Sequence, residues 1–439
     1  MCPAVIGYSS RMFRRAQPAS RALSARDLFT CLLMIVASIA PSLLFAQEGV
    51  AQGGVRATAQ SAIPRYAELQ RDVDFWIRVY TEISTRQGFV HDARNLGVVY
   101  GVAALPDAPP GSDPRREAIT AARDRWSAAL RAAAEALTAG QPLQGDAAWV
   151  HKIWRDALGR DPDAGTFTAA LADVRFQLGQ ADRFRAGVER SGAWREHIAV
   201  VLAAAQLPPE LIALPHVESS FDPTAYSKVG AAGMWQFMPG TARLYMRVDG
   251  AVDERMDPFR ATEAAAQLLA NNFRLLGSWP LALTAYNHGA AGMRRARDAM
   301  GTDDFAVIAR RYRGPAFGFA SRNFYPSFLA ALTIDQDPQR YFPGVQRAAP
   351  LRPVEISLPT AVAAAELGRL LDLPPSVLRE LNPALRPAVW NGERPVPAGY
   401  RLRLPTGSPW TPERLAAVLR VTTPAPGAAG ATASDTAAP

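Results

Sequence analysis

The chain has 439 residues, 49% of them hydrophobic and 20% charged, which is enough apolar content for two or three packed domains and excludes a wholly disordered protein. Its formal net charge is +8, but the first 46 residues hold five arginines against one aspartate, so the remainder carries only +4. An excess that mild suits a carboxylate-bearing polymer and lacks the dense basic stripe of a nucleic-acid binder.

In chain order, the segment 1–46 joins a basic stretch (Arg11, Arg14, Arg15, Arg21, Arg26) to the apolar run "LFTCLLMIVASIAPSLLFA", 28–46. That pattern reads as an export signal with small residues at candidate cleavage positions, or as an uncleaved anchor, since about 19 apolar residues just span a bilayer. Both cysteines, Cys2 and Cys31, lie in this segment. The chain beyond it therefore has no disulfide framework and no cysteine metal site. Residues 64–206 alternate helical patterns with short polar breaks. "RREAITAARDRWSAALRAAAEALTAG" (115–140) places Ile119, Trp126, Leu130 and Leu137 on one side and stops at Gly140. "GTFTAALADVRFQLGQ" (165–180) reads as another helix with Thr166 as its N-cap. The expectation is an all-helical N-terminal region in which His91, His151 and His197 are surface or packing residues.

Between 207 and 342 the texture changes. "IALPHVESSFDP" (212–223), entered at Pro209, places Leu211, Leu214 and Glu218 at i, i+3 and i+7, so a carboxylate lies on the inward face. Glutamate is rarely buried without a partner or a function that uses a raised pKa. "GAAGMWQFMPGTA" (230–242) has glycines but no Lys-Ser or Lys-Thr pair, which excludes a phosphate loop. It surrounds Gln236 with Met234, Trp235, Phe237 and Met238, as a core edge or a stacking surface would. "RMDPFRATEAAAQLLANNFRLLG" (255–277) is a helix capped by Asp257, with Pro258 first and Gly277 last. "WPLALTAYNHGAAG" (279–292) is a shorter one that ends at Gly289 and brings Tyr286 and Asn287. His216 and Glu218 are two apart and point to different sides of a helix, against a metal pair. Taken together, an inward acid, an amide among aromatics and a Tyr-Asn pair form a usable sugar site.

The blocks "ALPHVESSFDPTAYSKVGAAGMWQFMPGTARLYM" (213–246) and "LTAYNHGAAGM" (283–293) closely resemble the soluble lytic transglycosylase family, in particular its membrane-bound transglycosylase D-like branch. The resemblance implies a mainly α protein whose catalytic domain, 207–342, is helical and goose-lysozyme-like and acts on peptidoglycan without metal or cofactor. It makes Glu218 the sole acid/base. Ser219 would help place the acid; Ser227, Gln236 and Met238 would line the saccharide cleft; Tyr286 and Asn287 would contact the sugar. Tyr325 in "SRNFYPSFLAAL" (321–332) matches the tyrosine of the family's last motif, although Ser321 and Arg322 stand where an acidic residue and a threonine are common. Asp222, in the turn "FDP", reads as structural rather than as a second carboxylate. The implied reaction is lysis of the bond between N-acetylmuramic acid and N-acetylglucosamine with a 1,6-anhydro product, in an exported, periplasmic protein, anchored to the membrane if the leader is retained. A goose-type hydrolase and a non-catalytic peptidoglycan-binding scaffold are the alternatives.

After Pro343, residues 354–406 resemble a degenerate LysM module: "AAAELGRLLDLPPSVLRELNPAL" followed by a closing strand in "VPAGYRLRLP", with the opening strand expected to be missing. The tail 422–439, rich in Ala, Gly, Thr and Pro, reads as disordered.

Overall fold

The structure, a computed structural model, describes residues 62–422. The leader 1–46 and all but the first residue of the 422–439 tail fall outside the described residues. The chain is mainly helical, as expected, with two small sheets.

Helix α1 (Gln70–Thr81) buries Val73, Phe75, Trp76, Val79 and Tyr80. Strands β1 (Gln87–Asp92) and β2 (Val99–Ala104) form a hairpin, and helices α2 (Asp113–Thr138), α3 (Gly145–Leu158) and α4 (Ala164–Ala170) follow it. Strand β3 (Val174–Leu178) returns antiparallel to β1, giving the order β2-β1-β3. Trp126, Leu130, Val150, Trp154 and Phe167 form a core under this sheet. The reading of 64–206 as all helical is thus corrected. Five of the six residues of β1 are buried, so the strand lacks the alternation that would reveal it. The segment 165–180 is not one helix: Asp163, rather than Thr166, caps α4 by accepting from Thr166 N (2.7 Å), and the helix gives way to β3, where Phe176 and Gln177 pair with Val90 and Phe89.

Helix α5 (Ala181–Ala204) leads through a 3-10 turn, Pro209–Ala213, into the short α6 (Leu214–Ser219) and then α7 (Pro239–Ala242). Helix α8 (Pro258–Leu276) has the expected ends: Asp257 accepts from Phe259 N and Arg260 N, and Gly277 closes it in the left-handed region. Helices α9 (Trp279–His288), α10 (Ala290–Met300), α11 (Phe305–Arg311), α12 (Phe319–Gln336) and α13 (Pro338–Tyr341) complete the bundle. A single apolar core runs from Ile63 to Val345, joining α1 to α5, α6, α8, α9 and α12.

The C-terminal module is β4 (Val354–Ser357), α14 (Ala364–Leu371), α15 (Pro375–Leu381), α16 (Pro387–Trp390), β5 (Arg401–Leu404) and α17 (Pro412–Thr422). The opening strand expected to be missing is present: β4 pairs antiparallel with β5, with Ile356 opposite Leu402. Its four residues, "VEIS", are too short a run to announce themselves in sequence. The module is stapled to the helical region before it by Asp253 N to Ala384 O (2.8 Å), Arg386 N to Ala251 O (2.9 Å) and a buried pair between Arg403 and Asp257. Among the described residues no helix is long and apolar enough to cross a membrane.

Candidate active site

Glu218 sits in the last turn of α6. That helix ends abruptly because Ser220 and Phe221 both take positive φ, 54° and 55°, where non-glycine residues are uncommon and strained. The turn is held by Arg190 of α5, whose guanidinium donates to Ser220 O (2.7 Å) and Phe221 O (3.3 Å), and by Phe221, fully buried in the core. Gly187 permits the close approach of α5, since a Cβ there would lie 2.8 Å from Ser220 O. On the far side of α6, His216 Nε2 meets Asp335 Oδ1 (3.1 Å), and Asp335 is also bound by Arg195 (2.6 Å) and Arg347 (2.9 Å). Burial lowers the pKa of His216 against the opposing pull of Asp335. It also opposes ionisation of Asp335, but the bond from His216 and the positive charge of Arg195 override it and hold that carboxyl well below its usual range. The acid's helix is therefore pinned from both sides.

Glu218 itself has no such support. Its Oε1 is closed off from solvent without a hydrogen-bond partner, and desolvation, with no charge to offset it, pushes its pKa up to about 8. At neutral pH it is a protonated acid able to donate.

The glycine-rich loop faces it. Ser219 Oγ donates to Met234 O (2.8 Å) and accepts from Asp222 N (3.1 Å), so it ties α6 to the loop. Ser227 is buried and its Oγ accepts from Ala231 N (2.8 Å), which closes the loop on itself. Gln236 takes a φ of 49°; its Nε2 donates to Gly233 O (2.8 Å), and among the described residues none donates to its Oε1. Arg255, almost fully buried, stiffens the loop by donating to Gly230 O (2.7 Å) and Phe237 O (3.1 Å) while paired with Asp253 (2.8 Å). Met238 is exposed, and Tyr226, Val229 and Leu244 beside the loop in sequence are exposed too.

From α9, Tyr286 donates to Trp235 O (2.8 Å). Burial, and behind it the charge of Glu218, raises its pKa. Asn287 is half-buried next to it. Asp222 is occupied by its own turn, with Oδ1 accepting from Thr224 N (2.9 Å) and Thr224 Oγ1 (2.7 Å). Among the described residues no group of three or more His, Cys, Asp or Glu side chains could hold a metal ion.

Hydrogen bonds tie Ser219 and Tyr286 to the loop that carries Ser227, Gln236 and Met238, with one change of role and one correction. Ser219 ties the acid's helix to the loop, and Ser227, expected to line the cleft, turns its hydroxyl to the loop's own backbone. Tyr325 is in the core, not the cleft: it is fully buried, donates to Pro64 O and packs against Phe305 (5.3 Å) and Tyr66 (6.3 Å). The physical reason is that α1 and the segment before it cover that face of α12. A residue unseen in the sequence takes up a position near the acid instead. Tyr80 of α1 is buried, packs its ring tilted against Phe184 (4.9 Å), and has its pKa raised by burial and further by Glu218. Ser327, its polar neighbour on α12, donates to Phe324 O (2.8 Å), and no hydrogen bond to the Tyr80 hydroxyl closes. With Trp76 four residues earlier, Tyr80 looks in sequence like one more core aromatic.

A carboxyl of raised pKa without a carboxylate partner, set on a short helix against a glycine-rich loop and a Tyr-Asn helix, is an arrangement suited to single-acid chemistry. Residues 200–308 match the family model described as Transglycosylase SLT domain, so the resemblance read from the sequence holds over that span. The chain is 29% identical over 192 residues to Membrane-bound lytic murein transglycosylase D of Escherichia coli (strain K12), covering 41% of this chain and 40% of that protein. It is 41% identical over 103 residues to Peptidoglycan transglycosylase gp16 of Escherichia phage T7, covering 22% of this chain and 8% of the other. It thus spans well under half the length of these relatives. Among solved structures, the 70 kDa soluble lytic transglycosylase of Escherichia coli aligns over 52% of this chain and 44% of its own at 17% identity, with a TM-score of 0.29. The matched span stops short of the C-terminal module.

Proposed function

We propose that this protein is a lytic transglycosylase of peptidoglycan. The observation that carries the reading is the half-buried Glu218, whose Oε1 is shut off from solvent and unpaired and whose pKa desolvation raises to about 8, beside Tyr286. Glu218 gives its proton to the glycosidic oxygen between N-acetylmuramic acid and N-acetylglucosamine, and the C1–O bond breaks. Hydrolases of this kind use a second carboxylate as nucleophile or base. Asp222 is committed to its turn, so the muramic acetamido oxygen takes that part, stabilising the cationic centre. The Glu218 carboxylate then removes the proton from the C6 hydroxyl, and O6 closes on C1 to give the 1,6-anhydro ring. No water is consumed. The Gln236 carbonyl and Asn287 supply hydrogen bonds to the sugar, and the exposed Tyr226 and Met238 supply apolar contact.

Peptidoglycan lies outside the cytoplasm, and the relatives' names point the same way, so the reading includes export, with residues 1–46 as signal or anchor. The test is mass spectrometry of products after incubating the protein, and Glu218→Gln, with peptidoglycan sacculi. Anhydromuramic ends, one water lighter than reducing ends, with the variant silent, support the reading. Reducing ends mean a hydrolase, and binding without products means a scaffold; either result sinks it.

A further inference from the structure

At the N-terminal end of α12, away from Glu218's own shell, a cavity of about 570 Å³ opens between the small sheet, α2 and α12. Arg123 from α2, Arg175 from β3 and Arg322 from α12 line it. Among the described residues none of the three is in an ion pair. The acids nearest to hand are taken: Asp173 binds Arg94 (2.8 Å), and Asp72 binds Arg310 (2.8 Å). Arg175 is half-buried, lies over the Phe319 ring (4.1 Å), and has an Nε closed off from solvent with no partner. Burial first, and then neighbouring arginines, depress the pKa of both Arg175 and Arg322. The one acid in the cavity wall, Asp173, is paired with Arg94, so three guanidiniums face the cavity against a single shared carboxylate, and an anion entering it would be attracted. A guanidinium fork is the side chain best shaped to receive a carboxylate or phosphate in two bonds.

One hydrogen bond links the cavity wall's neighbour in sequence to the helix that carries Tyr286 and Asn287. Arg322 follows Ser321, whose Oγ is hydrogen-bonded to His288 Nδ1 (2.9 Å), and His288 follows the Tyr286–Asn287 pair.

We propose that Arg123, Arg175 and Arg322 bind a carboxylate of the peptide stem carried by the glycan, so that this protein selects strands whose stems carry free acid groups. The proposal rests on the reading of the chain as a peptidoglycan enzyme, because the stem is the source of carboxylate that such a substrate brings with it.

The test uses the whole protein in two arms. Calorimetry measures binding of a free stem tripeptide, the same peptide with its carboxyls amidated, and inorganic phosphate. Cleavage assays measure KM on stem-bearing and on peptide-stripped glycan strands. The expected result is that the acidic tripeptide binds, the amidated one does not, and Arg175→Gln or Arg322→Gln each weaken binding about tenfold, the loss of one charge-assisted pair. The KM preference for stem-bearing strands shrinks by a similar factor. Arg123→Gln, exposed on α2, must act in the same direction and carries no risk to the core. Tripeptide affinity unchanged in all three variants, or binding of phosphate with none of tripeptide, overturns the proposal. If the wild type cleaves neither glycan, the enzymatic reading fails, while the calorimetric arm still judges the cavity.

Discussion

Replacing Glu218 by glutamine should stabilise the protein at neutral pH and do nothing for it in acid. The ordinary glutamate value is 4.5 and the folded value is about 8. Below pH 4.5 the carboxyl is protonated in both the folded and unfolded states, so it contributes no pH-dependent cost. As pH rises, the unfolded chain releases this proton and the folded one retains it, so stability falls until the folded group also ionises near pH 8. Each pH unit in that window costs ~1.4 kcal/mol, which amounts to roughly 3 kcal/mol by pH 7. Glutamine titrates nowhere, so Glu218→Gln escapes this loss. Any fixed cost of burying an amide is the same at every pH and cancels in the comparison. The assay is thermal unfolding of both proteins at pH 4.5 and pH 7.5 in matched buffers. The gap in Tm should widen in favour of the variant by several degrees at the higher pH. Equal gaps at the two values would refute the argument that desolvation alone sets this group's pKa. The same ionisation predicts that kcat/KM falls above about pH 8, as the general acid loses its proton before substrate binds.

Two further substitutions test the frame around the acid. Tyr80→Phe removes a buried hydroxyl that closes no hydrogen bond, so its Tm should hold or rise; if that hydroxyl supports the Glu218 carboxylate once it forms, kcat should drop about tenfold or more and the basic limb of the pH profile should move upward, because the anion loses a donor. Unchanged kcat and an unmoved limb would reduce Tyr80 to core filling. Gly233→Ala places a Cβ 1.7 Å from Arg255 O at a φ of 76°, so it should cost at least about 2 kcal/mol and disorder the loop that presents Gln236; circular dichroism melts and product yields measure both, and a wild-type melt would contradict the packing described.

The local signals were legible where they were self-contained. Asp257, Pro258 and Gly277 bracket α8 because capping is written within a few residues of each end, and Glu218 declared itself because a carboxylate on an apolar face has few bland explanations. What escaped was decided at long range. The residues of β1, a mix of polar and apolar side chains almost all of which are buried, carry no period, and their strand conformation follows from partners about 12 and 85 residues away. Thr166 was read as a cap because threonine favours that place; Asp163 supplies the stronger acceptor and leaves Thr166 to donate with both its N–H and its hydroxyl. Tyr325 matched a motif by position, but which neighbour a helical side chain meets is set by what covers that helix, and here that is Pro64 and Tyr66.

The match to the transglycosylase domain covers 200–308, yet two of the supports of Glu218 lie outside it. Asp335, which pins His216 two residues before the acid, belongs to α12, and Tyr80 belongs to α1. Trp76 of α1 donates to Asn323 of α12 (3.3 Å) within the same apolar core that holds α6. Taking α1 away would open Phe184 and His216 to water, and a solvated Glu218 would return toward an ordinary carboxylate pKa and be ionised at pH 7. The sequence-conspicuous loop and helix turns present the sugar contacts, while the protonation state of the acid depends on an N-terminal helix that has no motif of its own.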